Sequence, residues 1–453
     1  MTILDRATMK LRWVLPVAAA AVIAGACDLD VADPDVVRDD ELSGPSAVPT
    51  TVAGVIGDLA NMTEDYVLYT SLFTDEMILG GTFPTRHQVD ERRVLDSNST
   101  VTTELNEALH AARDRADRMI DRFSTEFLGD ETFDQQAVLE GIAIGSYVRA
   151  LTKLELGELY CAAPVEGGGE PLASAEVVAA AVEDFDAAEA AAGEAGLEAW
   201  ANASRLGRAR AHLFLGSLTG DASHFDAAAT AAADVPTTHR LLSEFSSEDP
   251  EQFNKVNELT FGSQNEVIRW TVGDGSQGER QNEAYAEYDT FVELGIVDPC
   301  TGDCADQFEA FSSTIAVQLQ LLYDEPSDDI VLSSGIHARL IEAEAALRDG
   351  ATGAAEDLVN AVRDDWAQRW SAERFRVESD LEDVAFTGDL QADLLTLLSE
   401  YARETWLTGV RQENLRRMVE EFGAGSALDL YPVREGNQVC WPVPEQEEDG
   451  ASP

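Results

Sequence analysis

Apolar positions along this chain fall mostly at helical spacing. Val52, Val55, Ile56 and Leu59 open the pattern after Thr50, and a second amphipathic run covers 105–127 with Leu109, Ala112, Ala116 and Ile120 on one side. The same periodicity predicts four helical pairs. The first joins about 136–160 to 174–192 across a loop holding Gly167, Gly168 and Gly169. The second joins 202–218 to 223–233, the third 334–347 to 352–370, and the fourth 394–407 to 410–422. These stretches are rich in small residues, which let helices stack closely; Leu206, Ala209, Ala211, Leu213 and Gly216 are an example, followed by Gly220 and Asp221 at the turn.

A helix, a turn with Gly or Asp and a second helix is the tetratricopeptide-type unit, with a period of about 34 residues where copies are contiguous. The copies here are degenerate and interrupted. The expected architecture is mainly α, built of tetratricopeptide-like pairs over about 136–233 and 334–422. A partly β insertion separates them over about 237–331, where Glu258 to Gly262 and Glu266 to Val272 read as β-type runs and Gly273 to Gly278 as a glycine loop. Near the N-terminal side, Gly80 to His87 reads as a loop. Residues 28–49 are acidic, contain Pro34 and Pro45 and lack apolar periodicity, so they read as a tether, leaving one domain over 50–453.

The 453 residues and 45% hydrophobic content are enough for a sizeable core. The net charge of −54 repels nucleic acid and anionic lipid, which removes nucleic-acid binding from consideration. Lysine occurs only at Lys10, Lys153 and Lys255. An acid-rich, lysine-poor surface fits a saline habitat, and a GC-rich genome would also exchange lysine for arginine.

Lys10 and Arg12 precede an apolar run from Trp13 to Ala26 that is too short for a membrane span, so residues 1–26 read as a signal peptide. The run ends on Ala24, Gly25 and Ala26 before Cys27, the arrangement in which a lipoprotein signal peptidase cuts ahead of an acylated cysteine; a plain secretory signal would be cleaved near the same place. Three acyl chains on Cys27 hold a protein on a bilayer where a single chain anchors only marginally. The other four cysteines have an oxidising compartment in which to pair. Cys300 and Cys304 enclose a three-residue loop suited to a local bridge. That leaves Cys161, just after a helix, and Cys440, in the tail, whose pairing would staple the C-terminus to the helical body and add about 2–4 kcal/mol. Free thiols or a crossed pairing are the alternatives. No Cys-x-x-Cys is present and the six histidines show no ligand spacing, so neither a metal site nor a cofactor is expected.

The C-terminal region carries a more specific signal. Glu400, Tyr401, Arg403, Glu404, Trp406, Gly409 and Arg411 lead into Asn414, Leu415, Arg416 and Arg417, then Tyr431 and Pro432, then Cys440, Trp441, Pro442 and Pro444. This series resembles the C-terminal signature of the SusD/RagB family, where an ER..EL..EG.R..DL.R helix precedes a Tyr-Pro pair and a Pro-x-Pro ending. Thr74, Asp75 and Glu76 resemble the family's "TDE" segment, and the helix around Leu340, Glu342, Glu344 and Leu347 resembles its "LI.AEA.L" helix. The resemblance covers most of the mature chain in order and spacing. Tyr401, Thr408 and Asn414 depart from the family's Arg, Glu and Asp, which bears on the polar network inside that helix pair rather than on the fold. The resemblance implies a surface lipoprotein of the outer membrane, held by a lipid anchor. It would bind a nutrient, usually a glycan, and deliver it to a SusC-like TonB-dependent transporter. In lineages bearing such proteins, acidic residues after the cysteine, such as Asp28, accompany export to the surface.

Sugar recognition needs rigid, exposed aromatic faces and planar polar groups. The candidates are Trp270, Tyr285 and Tyr288 in the insertion and Phe83 in the N-terminal segment, with Arg280 and Asn282 as polar partners. Trp270 lies in an alternating apolar run that equally suits a core position, and Tyr285 and Tyr288, three apart, equally suit a buried helix face. Carboxylate pairs such as Asp75 with Glu76 arise by chance among 85 acids, and no Gly-x-Ser-x-Gly, Walker loop or His-Glu-x-x-His is present, so the chain is not expected to be an enzyme. A tetratricopeptide-type scaffold that binds only proteins fits the helical pairs but leaves the tail signature unaccounted for.

Overall fold

In the computed structural model, described residues are 44–79, 83–166, 169–261, 268–269, 297–298, 319–372, 381–431 and 435–445. The chain from Val48 onward forms one unit, and its elements are mainly helical.

Helix α1 (Ala47–Phe73) begins three residues ahead of the expected start. The short strand β1 (Ile78–Leu79) follows, then α2 (Pro84–Asp90). The stretch 80–87, expected to be a loop, is therefore helical from Pro84 onward. Proline's fixed φ suits the first helical position, where its missing N–H is not needed. A π-helical turn (Thr100–Asn106) leads into α3 (Glu107–Arg122), which buries Leu109, Ala112, Ala116 and Met119.

The expected pairs are realised as α4 (Gln135–Leu159) with α5 (Ser174–Ala195), and α6 (Glu198–Thr219) with α7 (Ser223–Ala233). After the insertion come α9 (Gly335–Arg348) and α10 (Thr352–Arg363), then α12 (Leu390–Glu404) and α13 (Val410–Phe422). The expected helix over 352–370 is broken: α10 ends at Arg363 and a separate α11 (Trp366–Ala372) begins beyond Asp364 and Asp365. The break lets Arg369 donate back to the Val362 carbonyl at 2.9 Å while Trp366 is buried.

Successive helices pack as neighbours from α3 through α7, and α7 packs directly on α9, which in turn meets α10 and α12. Their shared core includes Leu206, Leu213, Ala232, Ile341, Val359 and Leu398. Small residues set the spacing. A Cβ on Gly207 would lie 2.3 Å from the Phe185 ring, so the α5–α6 contact excludes even alanine without movement. α13 crosses back onto α6 and α4.

The insertion enters and leaves through one antiparallel ladder, β4 (Arg240–Ser243) with β8 (Ile330–Ser334), register Arg240 to Ser334 and Ser243 to Ile330. The ladder allows α7 and α9 to touch across roughly a hundred intervening residues. At its end Gly335 presses on the chain before β4, its amide donating to the His239 carbonyl at 2.8 Å. Within the insertion, Glu258 to Gly262 is expected to be β; its described part, Glu258 to Phe261, instead belongs to α8 (Lys255–Phe261). Asn254 overrides the β propensity: its Oδ1 accepts from Val256 N at 2.9 Å and from Asn257 N, capping a helix that buries Val256, Asn257 and Thr260. Strands β5 (Ile268–Arg269), β6 (Val297–Asp298) and β7 (Leu319–Gln320) are two residues each; β5 pairs with β1 and β6 with β7. β2 (Ala162–Ala163) and β3 (Leu172–Ala173) form a small hairpin between α4 and α5.

Candidate functional site

The C-terminal signature residues are buried and hold helices together. Arg417 is fully buried; its Nη2 donates to Glu344 Oε2 at 2.6 Å and to Asn414 Oδ1 at 2.6 Å, and its Nη1 bonds the other Glu344 oxygen. Arg348 adds two bonds to Glu344 and reaches Glu421 at 2.7 Å. Burial would push the Glu344 carboxyl up, but Arg417 and Arg348 outweigh it and hold the group below the usual carboxylate range. Asn414 thus serves as an acceptor for Arg417 where a carboxylate would otherwise stand, and the Arg417 guanidinium lies 5.8 Å from the Tyr401 ring. Arg416 donates to the carbonyls of Gly157, Glu158 and Tyr160, each at 2.9 Å, closing the C-terminal end of α4. Beside it, Arg210 bonds Glu158 at 2.7 Å.

The Thr74–Glu76 turn docks onto the same helix pair. Arg411 Nε donates to the Thr74 carbonyl at 3.2 Å, and Glu76 accepts from the Ser71 hydroxyl at 3.2 Å and the Leu407 amide at 3.3 Å. Burial pushes the Glu76 carboxyl up to about 7, against the pull of Arg411.

The tail is fixed by backbone, ring and covalent contacts. Cys161 and Cys440 form a disulfide with Cα atoms 5.2 Å apart. The Cys161 amide donates to the Trp441 carbonyl and the Trp441 amide to the Leu159 carbonyl, both at 2.9 Å. Trp441 is fully buried between Phe73 and Tyr160. The Tyr431 hydroxyl donates to Gln412 Oε1 at 2.8 Å, and the Arg92 guanidinium lies 4.1 Å from the Tyr431 ring. This stacked, buried arrangement is structural; it offers no face to a ligand.

Of the candidate contact residues, Phe83 is the one within the described residues. Cys27, Trp270, Arg280, Asn282, Tyr285, Tyr288, Cys300 and Cys304 lie outside them. Phe83 precedes Pro84 at the start of α2 and is 42% exposed, a large apolar face left in solvent. The Arg86 guanidinium stands 5.2 Å from its ring and also pairs with Glu104 at 3.3 Å. The Tyr69 hydroxyl donates to the same Glu104 carboxylate. Lys255 pairs with Asp65, lies 5.9 Å from the Tyr69 ring, and gives its amide to Glu64 at 2.8 Å. Burial pushes the Glu64 carboxyl up to about 8. Phe83 therefore rests on a cross-braced polar layer tying α1, α2, the π-helical turn and α8. The ladder of Ile78 with Arg269 and Leu79 with Ile268 pairs β1 with β5 of the insertion. A half-exposed ring on such a base can stack on a sugar, with the partly exposed Glu104 as a hydroxyl acceptor.

Arg86, Glu104, Tyr69 and Lys255 were not singled out from the sequence. The three-residue step from Phe83 to Arg86 and the scarcity of lysine are the signals that could have found Arg86 and Lys255; Glu104 and Tyr69 carry none. Among the described residues, no group of three or more His, Cys, Asp or Glu side chains gathers to hold a metal ion. None of the described helices is long and apolar enough to cross a membrane.

The fold is similar to that of solved proteins described as SusD superfamily members or SusD-like. A SusD superfamily protein from Bacteroides vulgatus superposes with a TM-score of 0.61 at 13% identity, over 90% of this chain and 97% of its own. The surface glycan-binding protein A of Bacteroides uniformis gives 0.58 at 14% identity over 89% and 97%. A SusD-like carbohydrate-binding protein from Bacteroides vulgatus gives 0.57 at 12% identity over 83% of each chain. No protein-family profile matches the sequence, and no curated protein matches it either. The fold is thus shared along nearly the whole length at sequence identities that carry nothing beyond the fold.

Proposed function

We propose that this protein is a non-catalytic surface lipoprotein of the outer membrane that captures an extracellular oligosaccharide and passes it to a SusC-like TonB-dependent transporter. The observation that carries the reading is the exposed Phe83 ring on its Arg86–Glu104 base, set on a fold whose solved relatives include a SusD-like carbohydrate-binding protein and a surface glycan-binding protein. Trp270, Arg280, Asn282, Tyr285 and Tyr288 belong to the insertion that would complete the binding face. Cys27 would carry the acyl chains, and residues 28–49 would tether the body beside its channel, where high local concentration substitutes for high intrinsic affinity.

The test is titration calorimetry of the mature protein against a glycan panel, with Phe83→Ala alongside. Stacking of a base on an aromatic side chain contributes about 1–3 kcal/mol, and with a sugar face taken as comparable a fall in affinity of about fivefold or more is expected. A panel with no binder, together with a detergent pull-down that recovers no barrel protein, would favour a protein-binding scaffold. For the anchor, Cys27→Ala should release the protein from the membrane fraction, and protease shaving of intact cells should reach the wild type.

A further inference from the structure

Apart from the Phe83 platform, a cavity of about 800 Å³ opens where the helical repeats meet the base of the insertion. Its wall comes from the β4–β8 ladder with Thr237 and Thr238 ahead of it, the loop 322–329, Ile336 at the start of α9, α11 with Asp365 before it, and the end of α12 with the turn into α13. The size falls in the range of sites that hold small ligands, and the position, at a junction of structural parts, is where such sites concentrate.

The wall is stiff. Arg369 holds Glu404 through two bonds of 2.7 Å, which ties α11 to the end of α12. The Tyr323 hydroxyl donates to the Leu407 carbonyl at 2.9 Å, and Asp329 accepts from the Phe245 amide at 3.0 Å. Asn254 Nδ2 donates to the Asp328 carbonyl at 2.8 Å. The loop is thus bonded both to α8 and to the α12–α13 turn, so the space exists before any ligand enters.

Its chemistry is mixed in a particular way. Tyr323, Trp406 and Ile336 are buried and form the inner side, while Arg240, Asp365 and Gln368 are exposed and stand at the mouth. The charged lining comprises two arginines, Arg240 and Arg369, against four carboxylates, Asp328, Asp329, Asp365 and Glu404. Carboxylates accept from hydroxyl or ammonium groups, guanidinium groups donate to ring and hydroxyl oxygens, and aromatic and aliphatic walls receive the C–H faces of a sugar ring. The excess of carboxylate, on a chain of net charge −54, works against a carboxylated or sulfated ligand.

We propose that this cavity is a second saccharide site, distinct from the Phe83 platform, and that it takes a neutral or amine-bearing sugar unit in preference to an acidic one. The ligand class rests on the saccharide reading above; the site itself rests on the cavity and its bonded wall. Two sites on one rigid body would let the protein grip a glycan at separated points or retain a second chain.

The experiment is calorimetric titration of the mature protein with maltotriose, fully deacetylated chitotriose and trigalacturonate. Wild type, Phe83→Ala, Phe83→Ala with Gln368→Trp, and Phe83→Ala with Arg240→Ala are compared. Gln368 is exposed, so a tryptophan there fills the mouth without entering the core, and thermal melts verify that each variant is folded. The expected result is binding of maltotriose or chitotriose that survives Phe83→Ala and falls at least tenfold with either second substitution, trigalacturonate being at least tenfold weaker. Residual binding that Gln368→Trp changes less than twofold, or trigalacturonate binding equally well, would overturn the proposal. Loss of all binding with Phe83→Ala alone would overturn it while leaving the proposed function standing; no binding of any probe to the wild type would also overturn it, the proposed function being decided by the glycan panel and the pull-down.

Discussion

Replacing both Cys161 and Cys440 by serine removes a cross-link between residues 279 apart in sequence. In the chain-entropy description, closing a loop of that length withdraws about 19 cal/mol/K from the unfolded ensemble, or about 5–6 kcal/mol at 25 °C. Long loops deliver less than this, because the unfolded chain is compact and retains some structure. The folded state should keep its tail in place. The reciprocal backbone bonds between Leu159, Cys161 and Trp441 do not involve sulfur, and neither does the burial of Trp441 or the Tyr431 bond to Gln412. The loss should therefore appear in the unfolding equilibrium and not in the native spectrum. We expect the serine variant to be about 3–5 kcal/mol less stable in urea unfolding followed by far-ultraviolet circular dichroism, with an unchanged native spectrum. Reductant should destabilise the wild type by at least this amount, and the variant only by what the expected Cys300–Cys304 bridge contributes. A loss below about 1 kcal/mol would refute the account, as would a variant whose native near-ultraviolet signal from the buried tryptophans had gone.

Stability should rise by about 1–3 kcal/mol as pH falls from 8.5 to 6.5. Glu64 and Glu76 are raised in the fold to about 8 and about 7, against an unfolded value of 4.5. The folded state therefore takes up protons in that window while the unfolded chain does not, and thermal melts at the two pH values check it. The histidines begin to oppose this as the pH nears their unfolded value of 6.5, since burial first, then His224 and Arg208, lower His212 to about 4 and burial lowers His239 and His337; Glu64→Gln with Glu76→Gln should lessen the dependence and leave the part due to Glu413, which burial likewise raises to about 8. Arg417→Ala should cost about 3–5 kcal/mol, because it leaves Glu344 and Glu413 buried without their shared cation; urea unfolding measures it, and Glu344→Ala should be comparably damaging. Gly335→Ala should prevent normal assembly of the insertion's base, since its Cβ would fall 2.0 Å from the Pro236 carbonyl oxygen, and a drop in soluble yield together with melting temperature reports it.

The legible part of this fold was the part written in local periodicity. α4 to α7, α9 and α13 fall close to the expected ranges: α5 and α7 bury one stripe of small and aliphatic residues, while α4, α6, α9 and α13 are buried over most of their surface, and in α13 the buried set includes Arg411, Arg416 and Arg417. The misplaced elements are those where a single cap or a distant contact outweighs local preference. The residues Leu259, Thr260 and Phe261 favour a strand by type, yet Asn254 caps them into α8, and Asn257 then donates to the Tyr323 carbonyl at 3.0 Å, 66 residues away. Asp389 likewise starts α12 four residues before the expected point, its carboxylate accepting from the Ala392 amide at 3.0 Å.

The same division runs through the functional residues. The signature residues were recognisable by type and order, but their work is set by partners far along the chain: Arg416 closes the end of α4 more than 250 positions away, and Arg411 binds the Thr74 turn across 337. A helix crossing fixed by buried guanidinium groups tolerates few substitutions, since each loss strands a charge in the interior. The exposed residues that would meet a ligand are free of that constraint. Phe83 could be picked out only as an aromatic beside a proline, and the Arg86–Glu104–Tyr69 layer beneath it depends on α1, α2 and the π-helical turn converging in space. Such convergence leaves no local pattern in the sequence, so ligand specificity in this fold has to be read from the assembled surface.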